Sequence, residues 1–180
     1  MIVKPEASCL LIVDVQDRLL PAMHTADEVA ENCAILLRAA GRLSVPVLVS
    51  EQYPKGLGHT VAALADLAPP DSVVEKIHFS CAADETLAGR IAALDRGQIV
   101  IAGIEAHVCV LQSALQLIQQ GRECYVVADA TSSRREASKA TALARLQAEG
   151  ARVVTTEMMI FEWLGRAGTD AFREVSRLIR

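Results

Sequence analysis

The sequence has few aromatic residues, no long apolar stretch and no excess of basic residues. Aromatic residues make up only 3% of its 180 residues, so few rings are present on which a large aromatic ligand could stack. No apolar stretch approaches the roughly eighteen residues that a membrane-spanning helix needs. The net charge of -4 provides no basic surface of the kind that binds nucleic acid. These features predict a globular protein whose partners are neither membranes nor nucleic acids.

Cofactor motifs and a leader sequence are missing as well. No Gly-x-Gly-x-x-Gly sequence follows the first predicted strand and there is no P-loop, so we expect no nucleotide cofactor. The five cysteines include no Cys-x-x-Cys pair and no Cys/His cluster with zinc-site spacing, so we expect no metal. Met1–Glu6 is too short and too charged for a signal peptide, and this cysteine usage fits a reducing compartment. The sequence therefore predicts a cytoplasmic protein.

Apolar runs rich in Val and Ile alternate with amphipathic runs along the whole chain. The predicted strands are Ser8–Val13, Pro46–Ser50, Val73–Lys76, Gln98–Gly103, Glu123–Ala128 and Ala151–Thr155. The predicted helices lie near Asp27–Leu43, Asp84–Leu94, Val108–Gln120 and Arg134–Glu149, with two shorter ones near the C-terminus. The strands are apolar almost throughout, which indicates that helices cover both faces of the sheet. The pattern predicts one domain, residues 1–180, of the three-layer α/β/α class with a mainly parallel sheet.

Local signals mark the ends of two of these helices. Thr25-x-x-Glu28 and Ser133-x-x-Glu136 have the spacing of capping boxes, in which a hydroxyl and a carboxylate bond to the first backbone N–H groups of a helix. Gly150 follows the fourth predicted helix, where a left-handed residue is expected. We therefore expect these helices to begin at their capping boxes and the fourth to end at Gly150.

Three reactive side chains stand at the carboxyl ends of different predicted strands. Asp14 follows the first strand, Lys76 ends the third, and Cys109 follows the fourth, in the first turn of the next predicted helix. If the first three strands wind one way and the last three the other, these ends flank the crevice in which doubly wound sheets bind ligands. Each residue alone has a plainer interpretation, as a capping aspartate, an exposed lysine or a small buried thiol. Their combination favours a catalytic site.

The combination also has a chemical logic. Helix N-termini and ammonium groups stabilise anions, so the position of Cys109 predicts a lowered thiol pKa and a populated thiolate. Asp14 is suited to take the thiol proton and later to return it. Attack on an acyl carbon forms an oxyanion, which needs hydrogen-bond donors that are already in place. Backbone N–H groups at the start of the 108–120 helix are the expected donors.

Five segments of the chain, in their order, resemble the isochorismatase-like cysteine hydrolases, a superfamily that includes nicotinamidases and N-carbamoylsarcosine amidase. The segments are Leu11–Gln16, Ser50–Gly58, Lys76 with Phe79-Ser80, Gly103–Cys109 and Asp129–Arg134. The resemblance covers nearly everything from Cys9 to the C-terminus. The second and fifth segments indicate the subgroup called isochorismatase domain-containing proteins, whose physiological substrates are mostly unassigned.

The resemblance carries expectations for fold, site and activity. It implies a Rossmann-like six-stranded sheet with the order 3-2-1-4-5-6 and a catalytic triad of Asp14, Lys76 and Cys109. It also implies a cis peptide bond at Ile104–Glu105, which aims the N–H groups of Glu105 and Cys109 at one oxyanion. The implied activity is metal-independent hydrolysis of a small amide or carbamoyl-type C–N bond through a thioester on Cys109. The implied assembly is a homo-oligomer that acts on a small-molecule substrate.

Two departures from the family pattern narrow that activity. Nicotinamidases hold a metal through an aspartate and two histidines after the second strand, where this chain has Glu51–Pro54 and His59 as the one imidazole nearby. We therefore expect neither a metal site nor nicotinamide as the main substrate. True isochorismatases lack the cysteine, so Cys109 argues against vinyl-ether hydrolysis of isochorismate.

Several residues near the expected site leave alternatives open. Gln16 is a candidate to bind substrate or to orient a carboxylate, and a satisfied loop amide is an equal alternative. Tyr53 and Phe79 are candidate apolar walls for a small substrate, although core packing is the preferred interpretation for Phe79. Cys81 is a candidate resolving thiol. His107 is not assigned as a base, because residues two apart lie on different faces of a helix.

Three other cysteines are predicted to be core residues, and a second class of function stays open. Cys9, Cys33 and Cys124 fall in predicted strands or helices, where a cysteine is usually a small core residue. The alternative to hydrolysis is a ligand-binding or thiol-redox protein that keeps the hydrolase fold, because function belongs to the site and not to the scaffold.

Overall fold

A central parallel sheet organises the structure, a computed structural model that describes residues 2–179. Its strands are β1 (Ser8–Val13), β2 (Val47–Gln52), β3 (Val73–Lys76), β4 (Gln98–Ile104), β5 (Glu123–Ser132) and β6 (Arg152–Val154). They lie in the order β3-β2-β1-β4-β5-β6, and each neighbouring pair is parallel. The predicted α/β class and the strand order 3-2-1-4-5-6 are confirmed.

Helices cover both faces of this sheet. They are α1 (Ala26–Arg42), α2 (Pro54–Leu57), α3 (Ala62–Ala65), α4 (Glu85–Ala93), α5 (Leu111–Gln119), α6 (Glu136–Ala148), α7 (Thr156–Leu164) and α8 (Asp170–Val175), with a π-helical turn at Ala106–Val110. Helices α1, α7 and α8 share one core with Ile12 of β1, whereas α4, α5 and α6 share the other with Leu11. Successive strand side chains point to opposite faces, so apolar residues at every strand position serve both cores.

Two strands run further than the apolar pattern predicts. β2 continues to Gln52, whose partner in β3 is Lys76. β5 continues to Ser132, whose partner in β4 is Ile104 after a register shift between the two strands. Both extensions consist mostly of polar residues, so hydrophobicity does not reveal them. They bring hydrogen-bonding side chains to the carboxyl edge of the sheet.

Gly103 lets β4 approach β1 closely. Its φ of +114° lies in a region that residues with a Cβ atom avoid, and a Cβ there would overlap the carbonyl oxygen of Val13. Gly103 and Val13 are also partners in the parallel register. Glycine at this position therefore sets the spacing between the two strands that precede Asp14 and Cys109.

The hydrogen bonds at two helix starts differ from the prediction. Thr25 is the N-cap residue of α1, but its hydroxyl donates to Oγ of Ser132 at 3.1 Å and makes no capping bond. Helix α6 has Arg135 as its N-cap residue, and Oγ of Ser133 lies 2.9 Å from Nδ1 of His107. Both predicted capping boxes are wrong, because these hydroxyls are used for contacts between distant segments.

Other expectations agree with the structure. Gly150, just after α6, has a φ of +99°, as predicted for the residue that ends a helix. Cys9, Cys33 and Cys124 are buried in the two cores, which confirms their prediction as core residues. Among residues 2–179, no helix combines the length and the apolar character that crossing a bilayer requires.

Candidate functional site

Three side chains from different parts of the chain meet at the carboxyl edge of the sheet. The Nζ atom of Lys76 lies 2.7 Å from Oδ2 of Asp14, and the thiol of Cys109 lies near enough to the same carboxylate for each group to shift the pKa of the other. The side chains of Asp14 and Lys76 are fully buried, and Cys109 is 5% exposed. The structure thus brings together the three reactive residues that the sequence places at strand ends.

The backbone at the end of β1 presents the Asp14 carboxylate to its donors. Asp14 has a φ of +52°, which is uncommon for a residue with a Cβ atom, and its N–H donates to the carbonyl oxygen of Ser50 at 3.0 Å. The Ser50 hydroxyl donates to Oδ1 at 2.7 Å, while Oδ2 receives the Lys76 ammonium. Each carboxylate oxygen therefore has its own donor.

Lys76 is held on three sides. Its ammonium donates to Oδ2 of Asp14 and to Oε1 of Gln52, both at 2.7 Å, and to the carbonyl oxygen of Phe79 at 3.2 Å. Gln52 is fixed in turn, because its Nε2 donates to the carbonyl oxygen of Ile77 at 2.7 Å. A lysine ammonium has three protons, so all of them are used within the protein. Lys76 is a positioned charge and not the solvated surface lysine of the plainer interpretation.

Burial and charge shift the protonation of this pair. Burial raises the pKa of Asp14 above its ordinary value, and the contacts with Lys76 and Ser50 only partly offset that rise. Burial lowers the pKa of Lys76, but the charge of Asp14 and the nearby thiols outweigh it, so that pKa is raised. The pair holds a cation beside a carboxylate that accepts a proton more readily than an exposed aspartate does.

The expected thiolate at Cys109 is contradicted. Burial raises the pKa of the Cys109 thiol well above its ordinary value, the negative charge of Asp14 adds to the rise, and Lys76 counteracts it only in part. The residue also lies in the π-helical turn Ala106–Val110, before α5 begins, and not in the first turn of that helix. The raised pKa favours a protonated thiol in the resting site.

The segment before Cys109 contains a backbone N–H group without a partner in the described part of the chain. The peptide bond between Ile104 and Glu105 is cis. The carbonyl oxygen of Glu105 accepts from the N–H groups of Val108 and Val110 at 3.0 and 3.2 Å, whereas the Glu105 N–H donates to no acceptor among residues 2–179. A backbone donor left without a partner in a buried segment is available to a ligand.

The Gln16 side chain is occupied by the backbone of the neighbouring loop. Its Nε2 donates to the carbonyl oxygens of Gln52 and Gly58 at 3.0 and 2.6 Å, and its Oε1 accepts from the Gln52 N–H at 2.7 Å. Gln16 is fully buried. These bonds fit the alternative of a satisfied loop amide, and they leave neither amide proton for a substrate.

Exposed apolar side chains lie near a surface cavity beside Lys76. A cavity of about 330 Å³ is lined by Tyr53, Lys76 and Ile77 together with neighbouring polar residues. Tyr53 and Phe79 are each 54% exposed, and Ile77 is 77% exposed. The preferred interpretation of Phe79 as a core residue is wrong, because the turn after β3 carries its ring outward. The carbonyl of Phe79 points inward and bonds to Lys76.

Sequence reasoning missed Ser50 and Gln52, which hold Asp14 and Lys76 in place. Both belong to β2, next to β1 in the sheet. A polar residue that follows an apolar run such as Val47–Val49 was a usable signal, because the carboxyl ends of neighbouring parallel strands lie at one edge. The prediction ended the second strand at Ser50 and therefore gave neither residue a role.

Cys81 lies close to the site but is enclosed. Its sulfur is 3.6 Å from Oγ of Ser50, and its N–H donates to Oγ of Ser113 at 2.8 Å. The residue has no exposed surface, and burial raises the pKa of its thiol to about 11. Resolving cysteines are accessible and have low pKa values, so this environment does not favour that role.

The carboxylate of Glu51 stands where the family resemblance places a metal in nicotinamidases. Its Oε1 accepts from the N–H and the hydroxyl of Thr60 at 2.6 and 2.7 Å, and its Oε2 lies 2.9 Å from Nδ1 of His59. Among residues 2–179 no three His, Cys, Asp or Glu side chains are grouped so that they could hold a metal ion. Glu51 therefore links residues 59–60 to β2. That the site works without a metal stays a prediction.

Comparison with curated proteins gives close relatives over nearly the whole chain. Isochorismatase domain-containing protein 2A of Mus musculus is 35% identical over 178 residues, which are 98% of this chain and 84% of the mouse protein. Isochorismatase domain-containing protein 1 of Danio rerio is 36% identical over 176 residues, again 98% of this chain. The chain spans 62% of the zebrafish protein, less than two thirds of its length.

Solved structures share the fold. The structure of the MAR1 ribonuclease of Caenorhabditis elegans is 33% identical, with a TM-score of 0.93 over 99% of this chain and 92% of that one. The YcaC gene product of Escherichia coli, described as an octameric hydrolase of unknown specificity, is 22% identical, with a TM-score of 0.93 over 99% of this chain and 90% of that one. The model of the isochorismatase domain matches residues 8–158. The chain therefore belongs to the isochorismatase family and has the fold of the isochorismatase-like hydrolases.

Proposed function

We propose that the protein is a metal-independent cysteine hydrolase that cleaves a small amide or carbamoyl-type C–N bond through a thioester on Cys109. One observation carries this proposal: the buried carboxylate of Asp14 bonds to the Lys76 ammonium and lies beside the Cys109 thiol, whose pKa it raises. A nucleophile within hydrogen-bonding reach of a base, with the base oriented by a third group, is the arrangement that covalent acyl transfer requires. Membership of a family of hydrolases supports the reaction class.

The first half of the proposed reaction acylates the cysteine. Asp14 takes the thiol proton as the Cys109 sulfur bonds to the substrate carbonyl carbon, and the carbonyl electron pair moves to oxygen. When the tetrahedral intermediate collapses, the C–N bond breaks and Asp14 gives the proton to the leaving nitrogen. Ammonia or an amine departs, and an acyl group remains on sulfur. The raised thiol pKa fits this scheme, because the thiolate forms during attack and not beforehand.

The second half returns the enzyme to its resting form. Asp14 takes a proton from water as the water oxygen attacks the thioester carbonyl carbon. The C–S bond then breaks, the acid product leaves, and the proton returns to the Cys109 sulfur. Lys76 keeps a positive charge beside Asp14 throughout, which limits the cost of moving a proton in a buried site.

Backbone N–H groups are the proposed stabilisers of the oxyanion in both halves. The Glu105 N–H donates to no other described residue, and the Cys109 N–H belongs to the same turn. Donors fixed in place before the reaction stabilise the developing negative charge without reorganisation. Glu105 and Cys109 are therefore the proposed oxyanion-binding residues.

Replacing the nucleophile tests the proposal. We expect Cys109→Ala to lower ammonia release from any amide or carbamoyl substrate by at least about a thousandfold, as for other covalent nucleophiles. The measurement is a panel of primary amides and carbamoyl compounds, with circular dichroism to show that the variant is folded. The matched control is Cys124→Ala, which removes a buried thiol outside the site and should retain turnover.

Intact-mass measurement separates hydrolysis from the alternative of a thiol-redox or ligand-binding protein. Brief exposure to substrate followed by acid should reveal a transient mass increase equal to the acyl group, absent in Cys109→Ala. An adduct that consists only of added oxygen or a disulfide would support the redox alternative. Full activity of a folded Cys109→Ala variant would contradict the hydrolase.

Assembly and location are proposals of their own. We expect a homo-oligomer, because Tyr53, Ile77 and Phe79 expose apolar side chains, two of them at one cavity beside Lys76, and because the E. coli structure of the same fold is described as octameric. Light scattering on the eluted protein should give a multiple of 19.3 kDa, and a single monomer peak would contradict this. A cytoplasmic location stays a prediction from the sequence.

A further inference from the structure

A cavity rich in positive charge lies beside the segment that carries the nucleophile. Its volume is about 440 Å³, and it is lined by His107, Arg134, Arg135 and Ser138. A second cavity of about 410 Å³ shares His107, Arg135 and Ser138 and continues along α6 to Arg145. The chain as a whole has a net charge of -4, so this concentration of cationic side chains is a local feature.

The positive charges in the cavity are unequally neutralised. Nε of Arg134 donates to Oε2 of Glu105 at 2.9 Å, so this guanidinium already has a carboxylate partner. Arg135 is exposed and forms no ion pair within residues 2–179. His107 is oriented by the 2.9 Å contact between its Nδ1 and Oγ of Ser133. Arg135 is thus the charge that is left for a ligand.

The backbone at the start of α6 adds to the positive electrostatic potential of the cavity. Arg135 is the N-cap residue of α6, a helix of 13 residues, and no side chain caps this end. The first N–H groups of a helix and its dipole attract anions. Glu136 is the acidic side chain of this first turn, and its Oε2 lies 3.6 Å from Nε2 of His24; Arg135 and the helix end both favour an anion.

We infer that this cavity is an anion-binding site, in which Arg135, His107 and Ser138 hold a carboxylate or phosphate group. A guanidinium binds such groups through two parallel hydrogen bonds, and a hydroxyl supplies a further donor. Because His107 lies in the same turn as Cys109, we assign the anionic group to the substrate itself. This assignment of the anion rests on the proposed function, and it names the substrate class as a small amide or carbamoyl compound with an anionic end.

The binding test uses inorganic phosphate and succinate as probes and needs no turnover. Both are titrated by calorimetry into the full chain, Cys109→Ala, Arg135→Gln and Arg38→Gln. We expect Arg135→Gln to weaken binding about tenfold, the loss of one charged hydrogen-bonding group. Arg38→Gln changes the net charge equally at an exposed site on α1, across the sheet, and should bind like the wild type. Equal affinity of Arg135→Gln and wild type, or no binding of either probe, would overturn the site.

A kinetic test identifies the source of the anion. Succinamate and butyramide are amides of equal length that differ in a terminal carboxylate. We expect a higher kcat/KM for succinamate than for butyramide, and we expect Arg135→Gln to reduce the ratio of the two values about tenfold. Anion binding without any preference for succinamate would overturn the substrate assignment. If no amide is hydrolysed but Arg135→Gln still weakens phosphate binding, the anion site is supported and the proposed hydrolase is contradicted.

Discussion

The two halves of the sheet's carboxyl edge are built differently. On the β1–β2–β3 side, Asp14, Ser50, Gln52 and Lys76 form a closed network in which the ammonium and both carboxylate oxygens have partners. On the β4–β5 side, the Glu105 N–H and the Arg135 guanidinium have none among residues 2–179. A saturated network holds charges in fixed positions, whereas unused donors are available to bind. We infer that the first side controls protons and that the second receives the substrate.

Asp14→Asn should break the closed side most severely. The substitution leaves the Lys76 ammonium buried without a counter-charge. Removing one partner of a buried ion pair costs about 3–5 kcal/mol of stability. The substitution also removes the proposed base. We expect the free energy of unfolding in urea to fall by that amount and hydrolysis to disappear. Asp66→Asn changes an exposed aspartate and should leave both unchanged. A stable, active Asp14→Asn variant would mean that the network does not control the proton.

Gly103→Ala tests the close contact between the two sides. Its φ of +114° and the overlap of a Cβ with the backbone of Val13 predict a destabilisation of at least about 2 kcal/mol. Gly89→Ala is the matched control, since Gly89 lies inside α4 with open space around the added methyl group. Alanine there should stabilise the protein by about 0.5–1 kcal/mol. Thermal unfolding of the two variants measures both, and equal shifts would contradict the close approach of β4 to β1.

The pH dependence of alkylation tests the resting state of the nucleophile. The pKa of the Cys109 thiol is raised by burial and by Asp14, so the reactive thiolate is scarce at neutral pH and accumulates only in strongly alkaline solution. At pH 8.5, near the pKa of an ordinary cysteine, iodoacetamide should modify Cys109 at least about tenfold more slowly than a free cysteine. Peptide mapping of labelled protein across pH 7 to 10 measures the rate. Fast labelling at pH 7 would instead support the thiolate that the sequence predicted.

Ser50→Ala should change activity least of these variants, and its effect on the pH profile of kcat/KM tests the role of Asp14 directly. The Ser50 hydroxyl lowers the pKa of Asp14 by a hydrogen bond, so its loss raises that pKa further. Because the unprotonated carboxylate is the proposed base, the acid limb of kcat/KM should move to higher pH, with about a fivefold loss at neutral pH, in line with one hydrogen bond. Ser72→Ala removes a hydroxyl that bonds to Pro69, outside the site, and should leave the profile in place. An unmoved acid limb in Ser50→Ala would exclude Asp14 as the titrating group.

The sequence predicted the positions of reactive groups better than their protonation. Asp14, Lys76 and Cys109 could be found because strand ends are marked by where apolar runs stop. The thiolate was wrong because the argument counted Lys76 and the helix end, whereas burial and the carboxylate of Asp14 depend on packing that no local pattern records. Ser50 was assigned to a strand but given no role, since its contact with Asp14 joins residues 36 positions apart.

Polar residues explain the other differences. Thr25 and Ser133 have the spacing of capping residues, yet their hydroxyls contact Ser132 and His107, because tertiary partners compete with local ones. Gln16 shows the same ambiguity: an amide near the site fits a substrate contact and a loop contact equally until its neighbours are known. Phe79 was expected inside on hydrophobicity, but the turn after β3 determines its direction.

The hydrogen bonds of Gln16 have a consequence for the loop that carries Tyr53. By bonding to the backbone of Gln52 and Gly58, Gln16 makes the 53–58 loop a rigid extension of the sheet. We expect the proposed substrate wall at Tyr53 to be ordered during folding and to need no ordering when a ligand arrives, which would remove one entropic penalty from binding. We therefore expect the proposed wall to select its ligand by shape.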